Sequence, residues 1–171
     1  MRLRTLSVAA AAAALVVVQP GLAVAASDPS TTLTFVVTSG ALTMSVPVSA
    51  ALGSGAPGTQ ISAPIGPVTV VDNRALLSAS WTVTASETDF ANGPSTIPAT
   101  DATYTAGTVT TTGVITVTTT SVTLTNSPQT VVTGSAGIGD NTATWDPTVT
   151  VSVPASAVGG LYTGTLTQSV A

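Results

Sequence analysis

The side chains able to do chemistry in this sequence are few, and their types narrow what that chemistry could be. The chain has no cysteine and no histidine, and three Lys+Arg stand against seven Asp+Glu. The usual Ser–His–Asp and Cys–His arrangements therefore cannot be assembled, and most zinc sites lose their ligands. With no lysine, a serine–lysine pair is excluded as well. What remains is a carboxylate pair, Glu87 and Asp89, in the stretch "SWTVTASETDF" from Ser80 to Phe90. On an extended strand, residues two apart share a face at about 7 Å, a spacing that does not forbid glycoside hydrolysis. A sugar cleft also needs aromatic platforms, and the chain holds only two Trp, two Tyr and two Phe. The pair lies just before Asn92-Gly93-Pro94, where the strand pattern ends. It reads as a solvated turn with Phe90 tucked beneath it, and no enzymatic activity is expected.

Arg74 is the only basic residue after Arg4. The spacing predicts a pair with Asp72, Asp89 or Glu87 that orients the connection between the strands at Val68 and Trp81. The alternative is a guanidinium clamp on a carboxylate of a wall glycopeptide, for which the planar fork of arginine is suited. Trp81 sits in phase with core positions and is expected inside, together with Val83 and Leu77. Trp145, beside Asp146-Pro147, is left open between core and an exposed platform that stacks on a sugar. Arg74, Trp145 and Tyr162 are the candidate binding residues, and the deciding observation is whether they share an exposed surface. Asp72, Asp101, Asp146 and the run "GIGDN" offer oxygen atoms to a cation, but no segment has the regular ligand spacing of a calcium loop. No metal and no cofactor are expected.

The elements that must position these residues follow from the patterning. Residues 1–25 read as a secretory signal peptide: Arg2 and Arg4, then an apolar run from Leu6 to Val18, then Ala23-Val24-Ala25 before cleavage after Ala25 or Ala26. A retained anchor is the alternative, but the apolar run is short for a membrane span. Residues 26–30 form a short polar lead, and residues 31–171 a single domain of a length that can bury a core without disulfides. With one arginine against seven acidic residues after the leader, nucleic-acid binding and attraction to anionic lipid headgroups are excluded.

Valine and threonine dominate, and both favour strands. "TLTFVV" alternates, with Leu33, Phe35 and Val37 on one face. "ALTMSVPVSA" does the same with Leu42, Met44 and Val46, and Pro47 ends that strand. Leu52 to Pro67 is loop with a short strand at Ile61. Val68 and Val70 share a face, as do Ala79, Trp81, Val83 and Ala85. "ANGPSTIPAT" reads as a loop, Val114 to Leu124 as one strand or two, and "NSPQTVVTGSAGIGDN" as a strand fragment among turn residues. Val149, Val151 and Val153 alternate inward, and the closing strand sets Tyr162, Gly164, Leu166, Gln168 and Val170 on one face. No segment beyond the leader has a helical period. The expected fold is all-β: an antiparallel β-sandwich, Ig-like or jelly-roll-like, with about eight to ten short strands. A closed barrel is the competing layout. The echo between "TMSVPVSA" (Thr43 to Ala50) and "TVSVPASA" (Thr150 to Ala157) reads as shared composition and a shared way of ending a strand.

"GPVTVVDNRALLSASWTVTASETDF" and "ATWDPTVTVSVPASAVGGLYTGTLTQSVA", with the order Asp72-Asn73-Arg74, Trp81, Phe90, Tyr162 and Leu166, resemble the WxL family of bacterial surface proteins, in the form found in high-GC Gram-positive bacteria. Trp81, Asp72, Phe90 and Leu166 match its structural signature. The first signature motif reads Trp81-Thr82-Val83. At the second, Gln168 stands where a tryptophan is expected. The resemblance implies a secreted, extracellular β-sandwich, associated with the cell wall by non-covalent binding to peptidoglycan or another wall glycan. The chain end offers no sorting motif and no apolar tail, and no membrane insertion is expected after leader cleavage. The alternative function is an assembly protein that meets partner surface proteins by β-edge contacts. The uncharged "VITVTTTSVTLT" suits that role, because it lacks the usual guards of an edge strand.

Overall fold

Alternation of β-branched residues with small or polar ones continues along most of the chain, and it folds into strands. The computed structural model describes residues 31–171; the expected leader (1–25) and polar lead (26–30) lie outside the described residues. Twelve strands follow in order: β1 (Leu42–Ser45), β2 (Gln60–Pro64), β3 (Val68–Asp72), β4 (Leu77–Glu87), β5 (Phe90–Asn92), β6 (Ser95–Ile97), β7 (Ala102–Thr105), β8 (Val109–Thr119), β9 (Val122–Thr123), β10 (Gln129–Trp145), β11 (Thr148–Ser152) and β12 (Leu166–Val170). One 3-10 turn, Ala99–Asp101, precedes β7. Every pairing is antiparallel. The first sheet runs β1-β3-β10-β4-β12, with β8 also on β10; the second runs β2-β11-β7-β9; β5 and β6 form a separate hairpin. The end strands β1 and β12 approach one another, so the first sheet curls nearly into a barrel. The chain is thus all-β and antiparallel as expected, with more strands than eight to ten.

The 17-residue β10 organises the first sheet. Its C-terminal part, Asn141 to Trp145, pairs with β3, and its N-terminal part, Gln129 to Ile138, pairs with β4. Strand β8 lies along the opposite edge of both parts. One strand can serve partners in two directions because it is bulged: the register with β4 slips between Gly134 and Gly137 and again before Ile138. Ala136 and Gly139 lie there at φ 54° and 65°, and extra residues of this kind bend a strand. This corrects the expectation of a strand fragment among turns. The glycines of "VVTGSAGIGDN" allow close approach and positive φ within a strand; they do not reverse the chain.

The core collects Val68 and Val70 from β3, Trp81, Val83 and Ala85 from β4, Ala143 and Trp145 from β10, Ala102 and Tyr104 from β7, and Val149 and Val151 from β11. Trp81 lies opposite Gly134, and a Cβ built on Gly134 would overlap the indole. Leu77 departs from its expected place: it is 81% exposed. Ser78, at φ 65°, breaks the phase of the alternation, and Leu77 then faces solvent beside Ile138, its register partner. "TLTFVV" also departs. Among the described residues no strand forms before β1, and Leu33, Phe35 and Val37 are exposed, because alternation defines a face without providing a partner strand. "ANGPSTIP" departs in the other direction and forms the β5–β6 hairpin. Gly93 has φ 58°, and a first central residue of positive φ followed by proline is a backbone that a two-residue hairpin loop accepts. Residues Val36 to Ala171 form one compact unit.

Candidate functional site

Carrying the β4 alternation two residues beyond Ala85 brings the chain to Glu87. The carboxyl falls on the same face as Trp81 and Val83, and Glu87 is 5% exposed. The expected solvated turn is therefore corrected for this residue. β4 continues through Glu87, paired with Leu166 of β12, and only at Thr88 does the chain leave the sheet. Oε1 of Glu87 is buried without a hydrogen-bond partner. Burial pushes its pKa from the ordinary 4.5 up to about 7, against a smaller lowering by a hydrogen bond from the Thr88 backbone. Asp89, two residues on, turns elsewhere: its Oδ1 accepts the Ala99 N–H at 2.9 Å. The two carboxylates do not face one cleft.

Glu87 lines a cavity of about 750 Å³, open on one side. Its walls come from the end of β11 (Val151, and Val153 beyond it), Ile61 of β2, Leu166 of β12, and the loops 46–57 and 157–165. Among the described residues no other Asp, Glu or Arg lines it. Gly164 stands beside the acid: a Cβ built there would come within 2.5 Å of Oε1 and 2.8 Å of the Phe90 ring. Of the residues singled out from sequence, Phe90, Tyr162, Leu166 and Gln168 all line this cavity. The Tyr162 hydroxyl is engaged with the Val158 backbone, donating to its carbonyl at 3.0 Å and accepting its N–H at 3.2 Å.

Arg74 and Asp72 form a separate cluster. Asp72 is fully buried. Arg74 Nε donates to Oδ1 at 2.8 Å, Nη2 to Oδ2 at 2.8 Å, and Nη2 also to the Ser80 carbonyl at 2.8 Å. The pair therefore ties the end of β3 to the start of β4, two strands that lie in sequence along β10 without pairing with each other. The arginine hydrogen bonds hold the Asp72 carboxyl below its usual range, although burial alone would raise it. Asn141, the register partner of Asp72, accepts a long hydrogen bond of 3.5 Å from Trp81 Nε1. Its own amide nitrogen is buried without a partner.

Trp145 belongs to a third cluster. It is 2% exposed, its Nε1–H donates to the Tyr104 hydroxyl at 2.9 Å, and that hydroxyl donates to Gln168 Oε1 at 3.0 Å. Burial pushes the Tyr104 phenol up to about 12. The relay joins β10, β7 and β12, and so links the two sheets. It also makes Gln168 structural, since its amide oxygen satisfies a buried phenol, which an indole N–H at that position cannot do. Arg74, Trp145 and Tyr162 thus do not form one exposed surface. Trp145 has no free ring face, Arg74 is held by Asp72, and Tyr162 belongs to the cavity.

The last feature is the free edge of β8. Among the described strands β8 pairs only with β10. Its sequence "VTTTGVITVTT" has no charge and no proline, and only Val109, Ile115 and Val117 are partly covered. Among the described residues no group of three or more His, Cys, Asp or Glu could hold a metal ion, and no helix is long and apolar enough to cross a membrane. No protein-family model, no curated protein and no solved structure matches the chain.

Proposed function

We propose that the chain is a non-catalytic assembly module that meets partner surface proteins by strand addition at the free edge of β8. The observation that carries this reading is that edge. It is 11 residues long, uncharged, and open along one side. Edge strands are commonly guarded by lysine, proline or bulges. Here Gly113, at φ 74°, is the only interruption in the strand's own sequence. A strand laid against β8 gains main-chain hydrogen bonds and rows of threonine contacts. The finer fold belongs with this reading: a β-sandwich, Ig-like or jelly-roll-like, of WxL type, secreted after loss of residues 1–25. Attachment to peptidoglycan or another wall glycan rests on the family resemblance, and the burial of Trp145 together with the pairing of Arg74 leaves it the weaker of the two functions.

The test combines cell-surface complexes with a guarded edge. Thr116→Lys with Thr118→Lys places two charges at exposed positions of β8. The unaltered chain is expected to co-purify with surface proteins after wall digestion, and the double variant to lose them with its melting temperature unchanged. Equal recovery of partners by both chains sinks the reading. Retention on purified wall sacculi that survives removal of all surface proteins favours the glycan function instead.

A further inference from the structure

We propose that the cavity around Glu87 binds an uncharged, mainly aliphatic molecule carrying one polar group that can accept a hydrogen bond, such as a long-chain alcohol or amide. The volume of about 750 Å³ lies in the range of small-molecule sites, which are mostly apolar with a few placed polar groups. Here the aliphatic part of the wall includes Leu52, Ile61, Val151, Val153 and Leu166. Ser49, Ser54, Thr163 and Thr165 stand on its loops, and among the described residues the one charged group lining it is Glu87. Buried carboxyls that lack partners are rare and cost stability; Glu87, whose covered Oε1 has none, lines the cavity and is the wall group that a ligand atom can complete. A protonated carboxyl both donates and accepts, and it suits a hydroxyl or an amide.

Other ligand classes fit less well. An anion would enter an apolar cavity with no cation to meet it, since the guanidinium of Arg74 is bound to Asp72 and Ser80. A cation would give up its hydration for a single carboxyl whose charged form burial disfavours. A sugar ring could pair with Ser49, Ser54, Thr163 and Thr165 on the loops, but it would press its hydroxyls against the aliphatic walls and meet only Phe90 and Tyr162 as aromatic ones among the described residues. Gly164 fits the same picture, because a side chain there would crowd both the acid and Phe90.

The experiment titrates the folded chain with octan-2-one, which accepts but cannot donate a hydrogen bond, by calorimetry at about pH 5.5 and about pH 8.5, on either side of the Glu87 transition. Saturable binding at the lower pH is expected, weakened at least about tenfold at the higher, because the ionised carboxylate no longer donates. Tyr162 is the only other titratable side chain lining the cavity, and its hydroxyl is held by Val158. Glu87→Gln keeps a donor and is expected to bind alike at both pH values. Gly164→Val is expected to abolish binding while far-UV circular dichroism stays that of the unaltered chain. Absence of saturable binding by the folded chain at the lower pH overturns the proposal. So does unchanged affinity at the higher pH. If Gly164→Val does not fold, the pH comparison between the unaltered chain and Glu87→Gln decides alone.

Discussion

Glu87 and Asp72 are both buried carboxylates, and their surroundings drive them in opposite directions. The folded chain holds the Glu87 proton more tightly than the unfolded chain, about 7 against 4.5. Stability therefore falls as pH rises from about 4.5 to about 7, by about 3 kcal/mol, and is level above that. Asp72 is lowered by Arg74, so its contribution is present above the unfolded pKa and lost as pH falls through the folded value. Urea unfolding across pH is expected to place the stability maximum at about pH 4 to 5, and Glu87→Gln to remove the decline toward neutrality. Arg74→Ala leaves Asp72 charged and unpaired at zero exposure, and is expected to cost about 3 kcal/mol at neutral pH. Asp72→Asn in the same chain is expected to restore part of that loss. The Asp72–Arg74 pair was legible in the sequence because its two residues are local. The burial of Glu87 was also within reach, since it continues the phase of Trp81, Val83 and Ala85. The turn signals of Asn92-Gly93-Pro94 drew that boundary too early.

At the scale of elements, patterning identified β3, β4 and β11 and the inward Val68, Val70, Ala79, Trp81, Val83, Ala85, Val149 and Val151, because valine and alanine alternate there with polar neighbours, while it misplaced Leu77 and missed the burial of Asp72 and Glu87. It failed where glycine has two physical uses. In β10, Gly134 is small so that the Trp81 indole can lie against the backbone, and Gly139 supplies a positive φ at a bulge. A glycine run in sequence cannot distinguish these uses from a turn, since the difference depends on residues far away along the chain. Gly134→Ala tests the packing use. It is expected to destabilise by about 2 kcal/mol as the indole is displaced, with a loss of near-ultraviolet tryptophan dichroism in the native state. Gly93→Ala tests the turn use. It is expected to cost about 1 kcal/mol through the strained φ alone, with tryptophan dichroism unchanged. The cavity was not legible, because β2, β11, β12 and two glycine-rich loops bring it together and nothing local announces it. The place of Trp145 stayed open for a similar reason: its partner Tyr104 is 41 residues before it, and Gln168, which accepts from that phenol, lies in the last strand.

For the whole molecule, the scarcity of charge sets how it meets others. The described residues contain one arginine and six acidic side chains, and Arg74 is already paired with Asp72. The association through β8 proposed above would therefore be built from main-chain hydrogen bonds and threonine contacts. Partner binding is expected to change little between low and molar salt, where surface ion pairs are screened. A steep loss of binding with salt, followed by sedimentation, would falsify an uncharged interface.

The long central strand has a further consequence, in the order of events during folding. Strands β3, β4 and β8 are complete by Thr119, yet none pairs with another of the three, and their common neighbour begins at Gln129. The principal sheet therefore cannot close until three-quarters of the chain has been made. Contacts so distant in sequence slow folding to roughly milliseconds or longer, and of the described pairings only β1–β3, β5–β6 and β7–β9 can form before β10 is made.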